Sequence, residues 1–274
     1  MIKLVAMDMD GTLLNSAKQL PEENRKTIEE YSQKGVEFAF CTGRVMNEMQ
    51  LISGELPSVK YAITCNGAYV NDMTADNSEN EIFSDTLPIG EVKKLYTTLE
   101  SMGTKMMFEL QADGVVYAEK YCIDNPNEFG VEYIKQLIKD TRVPVDNMGE
   151  YLKGRTKDVG KVNIFFPNTE VRNQVLKELG EVPYDLSYSE PTNIEFNKIG
   201  VNKGKGLKRL AEYLGFDMSE VMAIGDNYND IELLKSTDNS VVMANAPEEI
   251  KKYSKYITLS NDESGVAYAI KKFC

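Results

Sequence analysis

The chain has 274 residues, the length of one large domain or two smaller ones. Hydrophobic residues at 42% and charged residues at 27% are globular values and exclude a disordered or fibrous chain. Asp and Glu number 43 against 31 Lys and Arg, and the resulting formal charge of −12 repels phosphate backbones, so no nucleic-acid partner is expected.

In chain order, Leu4 to Met7 is an apolar run of buried-strand length. Pro21 and Gly35 bracket a helix over Glu22 to Lys34. Val36 to Cys41 reads as a second strand, and Val45, Met49, Ile52 and Leu56 recur at helical spacing. Tyr61 to Cys65 is a third strand, followed by the hairpin signal Asn66-Gly67. The polar stretch Asn71 to Glu81 reads as a solvated loop or hairpin arm. The middle predicts a helix through Val92 to Met102, strands at Met106 to Leu110 and Val115 to Ala118, and a helix over Phe129 to Ile138. A strand at Val162 to Phe166, a helix at Val171 to Leu179 and a strand at Tyr184 to Tyr188 follow. Beyond them, Leu207 to Leu214 is a helical stripe, Val221 to Ile224 a strand, Ile231 to Leu234 a helix, Ser240 to Met243 a strand and Ser264 to Lys272 a closing helix. Both ends alternate strand and helix, which implies α/β architecture, a Rossmann-like parallel-sheet core with helices on both faces. The middle mixes helices with hairpins and predicts an inserted α+β unit over 84–188, leaving 1–83 and 189–274 as the core.

The chemistry is narrowed by what is missing. With no histidine, Ser-His-Asp and Cys-His catalysis and imidazole-ligated zinc are excluded. Cys41, Cys65, Cys122 and Cys274 form no C-x-x-C pair, so reduced thiols are expected. The N-terminus turns acidic at Asp8, too soon for a signal peptide, and no apolar run approaches the ~18 residues of a membrane span. A cytoplasmic protein without membrane partners is the expectation.

Asp8-Met9-Asp10-Gly11-Thr12 follows the first strand. Carboxylates two apart in extended chain point the same way, and burying both calls for a divalent cation or a shared proton. The bland alternative is an acidic turn. Gly225-Asp226-Asn227-Tyr228-Asn229-Asp230 also follows an apolar strand and opens a helix. Parallel sheets bind ligands at the carboxyl ends of their strands, where both clusters would lie. Oxygen ligands alone suit Mg²⁺, whereas the ordinary reading of Asp226 is a helix cap. Cys41-Thr42-Gly43-Arg44 offers a hydroxyl and free backbone N–H groups at a strand end, an anion site. Lys203, in Asn202-Lys203-Gly204-Lys205-Gly206, opens a helix and can neutralise phosphate oxygens.

Taken together, Asp-x-Asp-Gly-Thr, the strand-end Thr42, Lys203 at a helix start and Gly-Asp-x-x-Asn-Asp resemble the haloacid dehalogenase (HAD) superfamily of phosphohydrolases. The insertion between the threonine and lysine motifs resembles the type IIB cap of the Cof-type subfamily. Asn66-Gly67-Ala68, Asn245-Ala246-Pro247 and Asp262-Glu263-Ser264-Gly265-Val266 match further, so the likeness spans nearly the whole chain. Glu232-Leu233 and Ala244 depart from the subfamily's usual Met and Gly, away from the chemistry.

The resemblance implies a Mg²⁺-dependent phosphatase acting on monoesters of small metabolites: sugar phosphates, pyridoxal phosphate or flavin-pathway phosphates. It implies Asp8 as nucleophile, through an aspartyl-phosphate, and Asp10 as acid and base. Asp10 must begin protonated, a state expected from crowding by other carboxylates. Mg²⁺ falls to the Asp8 side chain, the Asp10 carbonyl and Asp226. The phosphoryl oxygens fall to Thr42, Gly43, Lys203, Asn229 and the Met9 and Asp10 amides. Asp230 orients Lys203 or metal-bound water, and Arg44 either reaches the phosphate or supports its loop. Lys205 reads as a solvated helix lysine, and Cys41 as an inert thiol. A phosphomutase of the same superfamily and a phospho-aspartate signalling or binding protein are the alternatives, separated by phosphate release and by a lasting phosphoprotein.

Overall fold

The computed structural model describes residues 1–75 and 80–274, with Gln50 and Leu51 as backbone only. The chain forms two compact units. The first comprises Met1–Arg44, Met49–Ser84 and Val201–Cys274, and the second Val45–Glu48 and Asp85–Gly200.

The first unit opens with β1 (Leu4–Met7), α1 (Glu22–Gln33), β2 (Glu37–Cys41), α2 (Met46–Ser53, whose first turn falls in the second unit), β3 (Tyr61–Thr64), β4 (Tyr69–Asp72) and β5 (Glu81–Ser84). The second contains α3 (Ile89–Ser101), β6 (Met107–Ala112), β7 (Val115–Glu119), α4 (Lys120–Asp124), α5 (Lys135–Thr141), β8 (Arg142–Val145), α6 (Met148–Gly154), β9 (Lys161–Phe165), α7 (Thr169–Leu179), β10 (Asp185–Ser187) and β11 (Asn193–Asn197). The first resumes with α8 (Lys203–Leu214), β12 (Val221–Gly225), α9 (Ile231–Lys235), β13 (Asn239–Val242), α10 (Glu248–Lys251), β14 (Tyr256–Ile257) and α11 (Gly265–Phe273).

The first unit's sheet runs β14-β13-β12-β1-β2-β3-β4-β5. Its first six strands are parallel, and β4 and β5 add on antiparallel. Every residue of β1 is buried, as its unbroken apolar run requires of a central parallel strand. On one face Leu4, Ala6, Ala39, Ile63 and Ala223 pack against Leu207, Leu210 and Ala211 of α8 and Leu233 of α9. Strand alternation turns Val5, Met7, Phe38 and Phe40 to the opposite face, and all four are fully buried. There α1 packs on β2 and on α11. Each large side chain so buried contributes about 1.5–3 kcal/mol. Of the polar stretch 71–81, Asn71 and Asp72 end β4 and Glu81 opens β5, which pairs with it antiparallel; residues 76–79 lie outside the described residues.

The second unit's sheet runs β10-β11-β9-β6-β7-β8, antiparallel except where β8 joins β7. One face is apolar: Phe108, Leu110, Ile164 and Phe196 pack with α3, α6 and α7. The other carries buried polar groups, each charge matched. Lys161 pairs with Glu195 at 2.8 Å, and Arg142 lies between Glu48 and Glu109. This unit runs on to Gly200, past the end at 188 read from the sequence, because β11 sits between β10 and β9. That strand escapes notice because its buried Asn193, Glu195 and Asn197 alternate with Ile194 and Phe196.

Candidate active site

Because β1, β2 and β12 are parallel neighbours, the residues that follow them emerge along one edge of the sheet. Asp8 follows β1, Thr42 follows β2 and Asp226 follows β12. Lys203 begins α8, whose first turn is capped by the Asn202 side chain accepting from the Lys205 amide. Lys203 is fully buried. Its Nζ donates to Asp8 Oδ1 at 2.6 Å and to Asp230 Oδ1 at 2.7 Å. Asp230 Oδ2 accepts the backbone N–H groups of Asp226 and Asn227 at 2.9 and 3.0 Å. Asp230 is therefore spent on holding Lys203 and the turn. Of the two roles read for it, the contacts match orientation of Lys203.

Carboxylate oxygens of Asp8, Asp226 and Asp230 lie within 4.8 Å of one another. Three acidic groups face one ammonium, and the surplus appears in the protonation of Asp8 and Asp226. Burial, then the charge of Asp230, pushes the Asp8 carboxyl well above its usual range. Burial and Asp230 likewise raise Asp226. Burial disfavours the charged Lys203, but Asp230 and Asp8 outweigh it and hold the ammonium protonated. A divalent cation would relieve this excess. With Asp230 occupied, Asp8 and Asp226 remain as side-chain donors, all oxygen, a set that suits a hard ion.

Asp226 is fixed from one side by the loop after β1. Thr12 Oγ1 donates to Asp226 Oδ1 at 2.6 Å. Gly11 has φ +83°, and a Cβ there would stand 2.4 Å from Asp226 Oδ2. Only glycine permits both that turn and that approach. Thr12 belongs to the acidic motif but was given no role in the sequence reading; its partner lies 214 residues away.

Asp10 differs from the expectation of crowding by carboxylates. Its side chain is held by cations. Arg44 Nε and Nη2 fork onto its two oxygens at 2.9 and 2.8 Å, and Lys18 Nζ reaches it at 2.8 Å. Burial raises its pKa, but Arg44 and Lys18 outweigh that and bring it down to about 2. Asp10 is therefore ionised in the free protein. Arg44 supports a loop residue here, and nothing in the sequence singles out Lys18.

Thr42 is buried, and its Oγ1 accepts the Arg44 amide at 3.1 Å. Gly43 completes the turn between them. The Met9 side chain is fully buried, which leaves its main chain for any contact with a ligand. Asn229 Nδ2 donates to Asn66 Oδ1 at 3.4 Å, tying the last motif to Asn66-Gly67. Cys41 is buried and burial drives its thiol far up, so it is unreactive as expected.

Comparison with known proteins places this arrangement. The profile of haloacid dehalogenase-like hydrolases matches residues 5–270. A 5-amino-6-(5-phospho-D-ribitylamino)uracil phosphatase of Bacillus subtilis is 34% identical over 272 residues, covering 98% of this chain and 95% of its own. A haloacid dehalogenase-like hydrolase structure from B. subtilis superposes with a TM-score of 0.84 at 26% identity, covering 100% of both chains. A HAD subclass IIB sugar phosphatase superposes with a TM-score of 0.80 at 25% identity, over 99% of this chain and 98% of that one. The chain belongs to the haloacid dehalogenase-like hydrolase family and is a Cof-type phosphatase. Among the described residues no helix is long and apolar enough to cross a membrane.

Proposed function

We propose that this phosphatase hydrolyses phosphate monoesters of small metabolites with Mg²⁺, through an aspartyl-phosphate on Asp8. The observation that carries the reading is the buried Lys203 bridging Asp8 and Asp230 beside Asp226, a charge set short of one divalent cation. Mg²⁺ would be held by the Asp8 and Asp226 side chains and the Asp10 main-chain carbonyl. When bound it supplies charge neutralisation for the nucleophile and the phosphoryl group.

An Asp8 oxygen attacks phosphorus as the bond to the leaving oxygen breaks; Asp10, ionised in the free protein, must first take up a proton as the substrate binds and then gives it to that oxygen. Water then attacks the phosphorus, Asp10 takes its proton, the bond to Asp8 breaks and inorganic phosphate leaves. The free protein holds Asp10 in the ionised form that the second step needs. Thr42, Gly43, Lys203 and Asn229, with the Met9 and Asp10 amides, hold the phosphoryl oxygens; Asp230 and Arg44 hold Lys203 and Asp10. The inserted unit acts as a cap that selects the leaving group. Sugar phosphates, pyridoxal phosphate and flavin-pathway phosphates are the substrate class, in the cytoplasm. The relative named for a ribitylaminouracil phosphate supports including that ester.

The test is phosphate release from a panel of these esters. Release is expected with Mg²⁺, lost in EDTA and restored by Mg²⁺ or Mn²⁺ but not by Ca²⁺, whose larger and looser shell misplaces the nucleophile. Full activity in chelator would overturn the metal assignment. A lasting phosphoprotein without release would overturn the phosphatase assignment.

A further inference from the structure

The segment Asn245-Ala246-Pro247 follows β13, far in sequence from the acidic motif, and its first residue reaches that motif directly. Asn245 Nδ2 donates to the Gly11 carbonyl at 2.8 Å. Its Oδ1 accepts the Asn261 backbone N–H at 3.0 Å, so both ends of the amide are used and its orientation is fixed. Asn261 also donates from Nδ2 to the Leu14 carbonyl at 3.0 Å, and Asp262 takes the Ser16 amide and hydroxyl at 2.8 and 2.7 Å. The C-terminal segment thus pins the loop after β1 at three successive points.

One peptide joins Gly11 to Thr12, its N–H donates to the Met9 carbonyl at 3.3 Å, and the two residues it joins meet the two oxygens of Asp226. Thr12 Oγ1 donates to Oδ1, and the missing Gly11 Cβ admits Oδ2. Turning the Gly11 carbonyl turns the Thr12 amide with it, because the peptide is rigid. We propose that Asn245 is a positioning residue of the carboxylate site: through the Gly11–Thr12 peptide it sets the orientation of Asp226 and hence the affinity for Mg²⁺. This rests on the reading that Asp226 is a Mg²⁺ ligand. Removing the outer partners of metal ligands typically weakens binding about 10–100-fold.

Asn245 is exposed, so substitution there spares the core. Asn245→Asp keeps the shape and the acceptor for Asn261 but loses the donor to Gly11. Its added negative charge would by itself attract a cation, so weaker binding cannot be a charge effect. Mg²⁺ is titrated calorimetrically into metal-free wild type, Asn245→Asp, Asn245→Ala, Thr12→Val and the Asn245→Asp/Thr12→Val double variant. Melting in chelator is recorded alongside. Both Asn245 variants are expected to raise the Mg²⁺ Kd about tenfold with melting almost unchanged. On the Thr12→Val background the Asn245→Asp effect should shrink below about twofold, because the path through Thr12 is already cut. Wild-type affinity in both Asn245 variants would overturn the proposal, as would full additivity with Thr12→Val. Should Asn245→Asp fail to fold, Asn245→Ala and wild type decide alone. Wild type that binds no Mg²⁺ would overturn the metal reading itself, and the proposal with it.

Discussion

One ammonium serves three buried carboxylates, and single substitutions at this imbalance have opposite consequences. Asp8→Asn removes a charge that burial, Asp230 and Asp226 all disfavour, while an amide oxygen can still accept from Lys203. Turnover should fall at least about 10³-fold, since an amide is a poor nucleophile. Melting measured in chelator should rise. Retention of a tenth of the rate would remove Asp8 as nucleophile, and a lowered melting point would contradict the charge argument. Lys203→Ala does the reverse. It strands buried carboxylates without a cation, a loss of about 3–5 kcal/mol, on top of lost activity. Lys205, partly exposed on the next half turn, should cost about 0.5 kcal/mol or less as alanine and leave kcat close to wild type. The reverse order in denaturant melts and kcat would show that the wrong lysine was assigned. The acidic residues were legible because each stands directly after an apolar run, where a parallel sheet presents ligands. Thr12, Lys18 and Asn245 were not, because their roles come from partners that only folding brings close. Asp10 shows the same limit in its charge state: the sequence displays its acidic neighbours, and the structure supplies Arg44 and Lys18 instead.

At the level of elements, strands with unbroken apolar runs were readable, while the mixed β8 and β11 were not. β1, β2, β3, β12 and β13 are central and buried on both faces, so pattern and position agree. β8 contains Pro144 and lies at a sheet edge, where its missing N–H is tolerated but its strand signal fades. The short α4, α6 and α10 offered too few periods to register. Helix packing makes a sharper prediction from two glycines. A Cβ at Gly204, in the first turn of α8, would lie 2.1 Å from the Glu232 carbonyl, so α8 and α9 approach through that glycine. Gly90, in the first turn of α3, has nothing within 4 Å of the same position. Gly204→Ala should therefore destabilise by about 1–3 kcal/mol or more. Gly90→Ala should stabilise by up to about 1 kcal/mol, through helix propensity alone. Urea melts of the two variants decide it; the same sign for both would mean that the α8–α9 approach is looser than described.

For the whole molecule the question is what the insertion contributes. Each unit has its own sheet and its own apolar core. Within the first unit Ser84, the last residue of β5, pairs with Tyr69, two residues past Gly67, where an added Cβ would stand 2.2 Å from the Asn202 carbonyl, so the strand end lies near the chain entering α8. A short Gly/Ser linker can therefore join Ser84 to Val201 at little loop cost. A cut that retains 189–200 should fare worse. It would leave Ile194 and Phe196 without β9 and the apolar face they pack into, and aggregation is expected by light scattering. The Ser84–Val201 variant should fold and still bind Mg²⁺, because Asp8, Asp10, Thr42, Lys203, Asp226 and Asn229 all lie in the first unit. If the insertion is the selective cap, kcat/KM values for sugar, pyridoxal and ribityl phosphates should converge in this variant. Slow hydrolysis of an activated aryl phosphate should persist, since its leaving group needs neither recognition nor a proton. The measurement is the ratio of kcat/KM between the best and worst ester, before and after replacement. An unchanged ratio would put specificity in the first unit. A folded variant with no aryl phosphatase activity would mean that the inserted unit supplies part of the catalytic apparatus, which Asp8, Asp10 and Lys203 alone would then not complete.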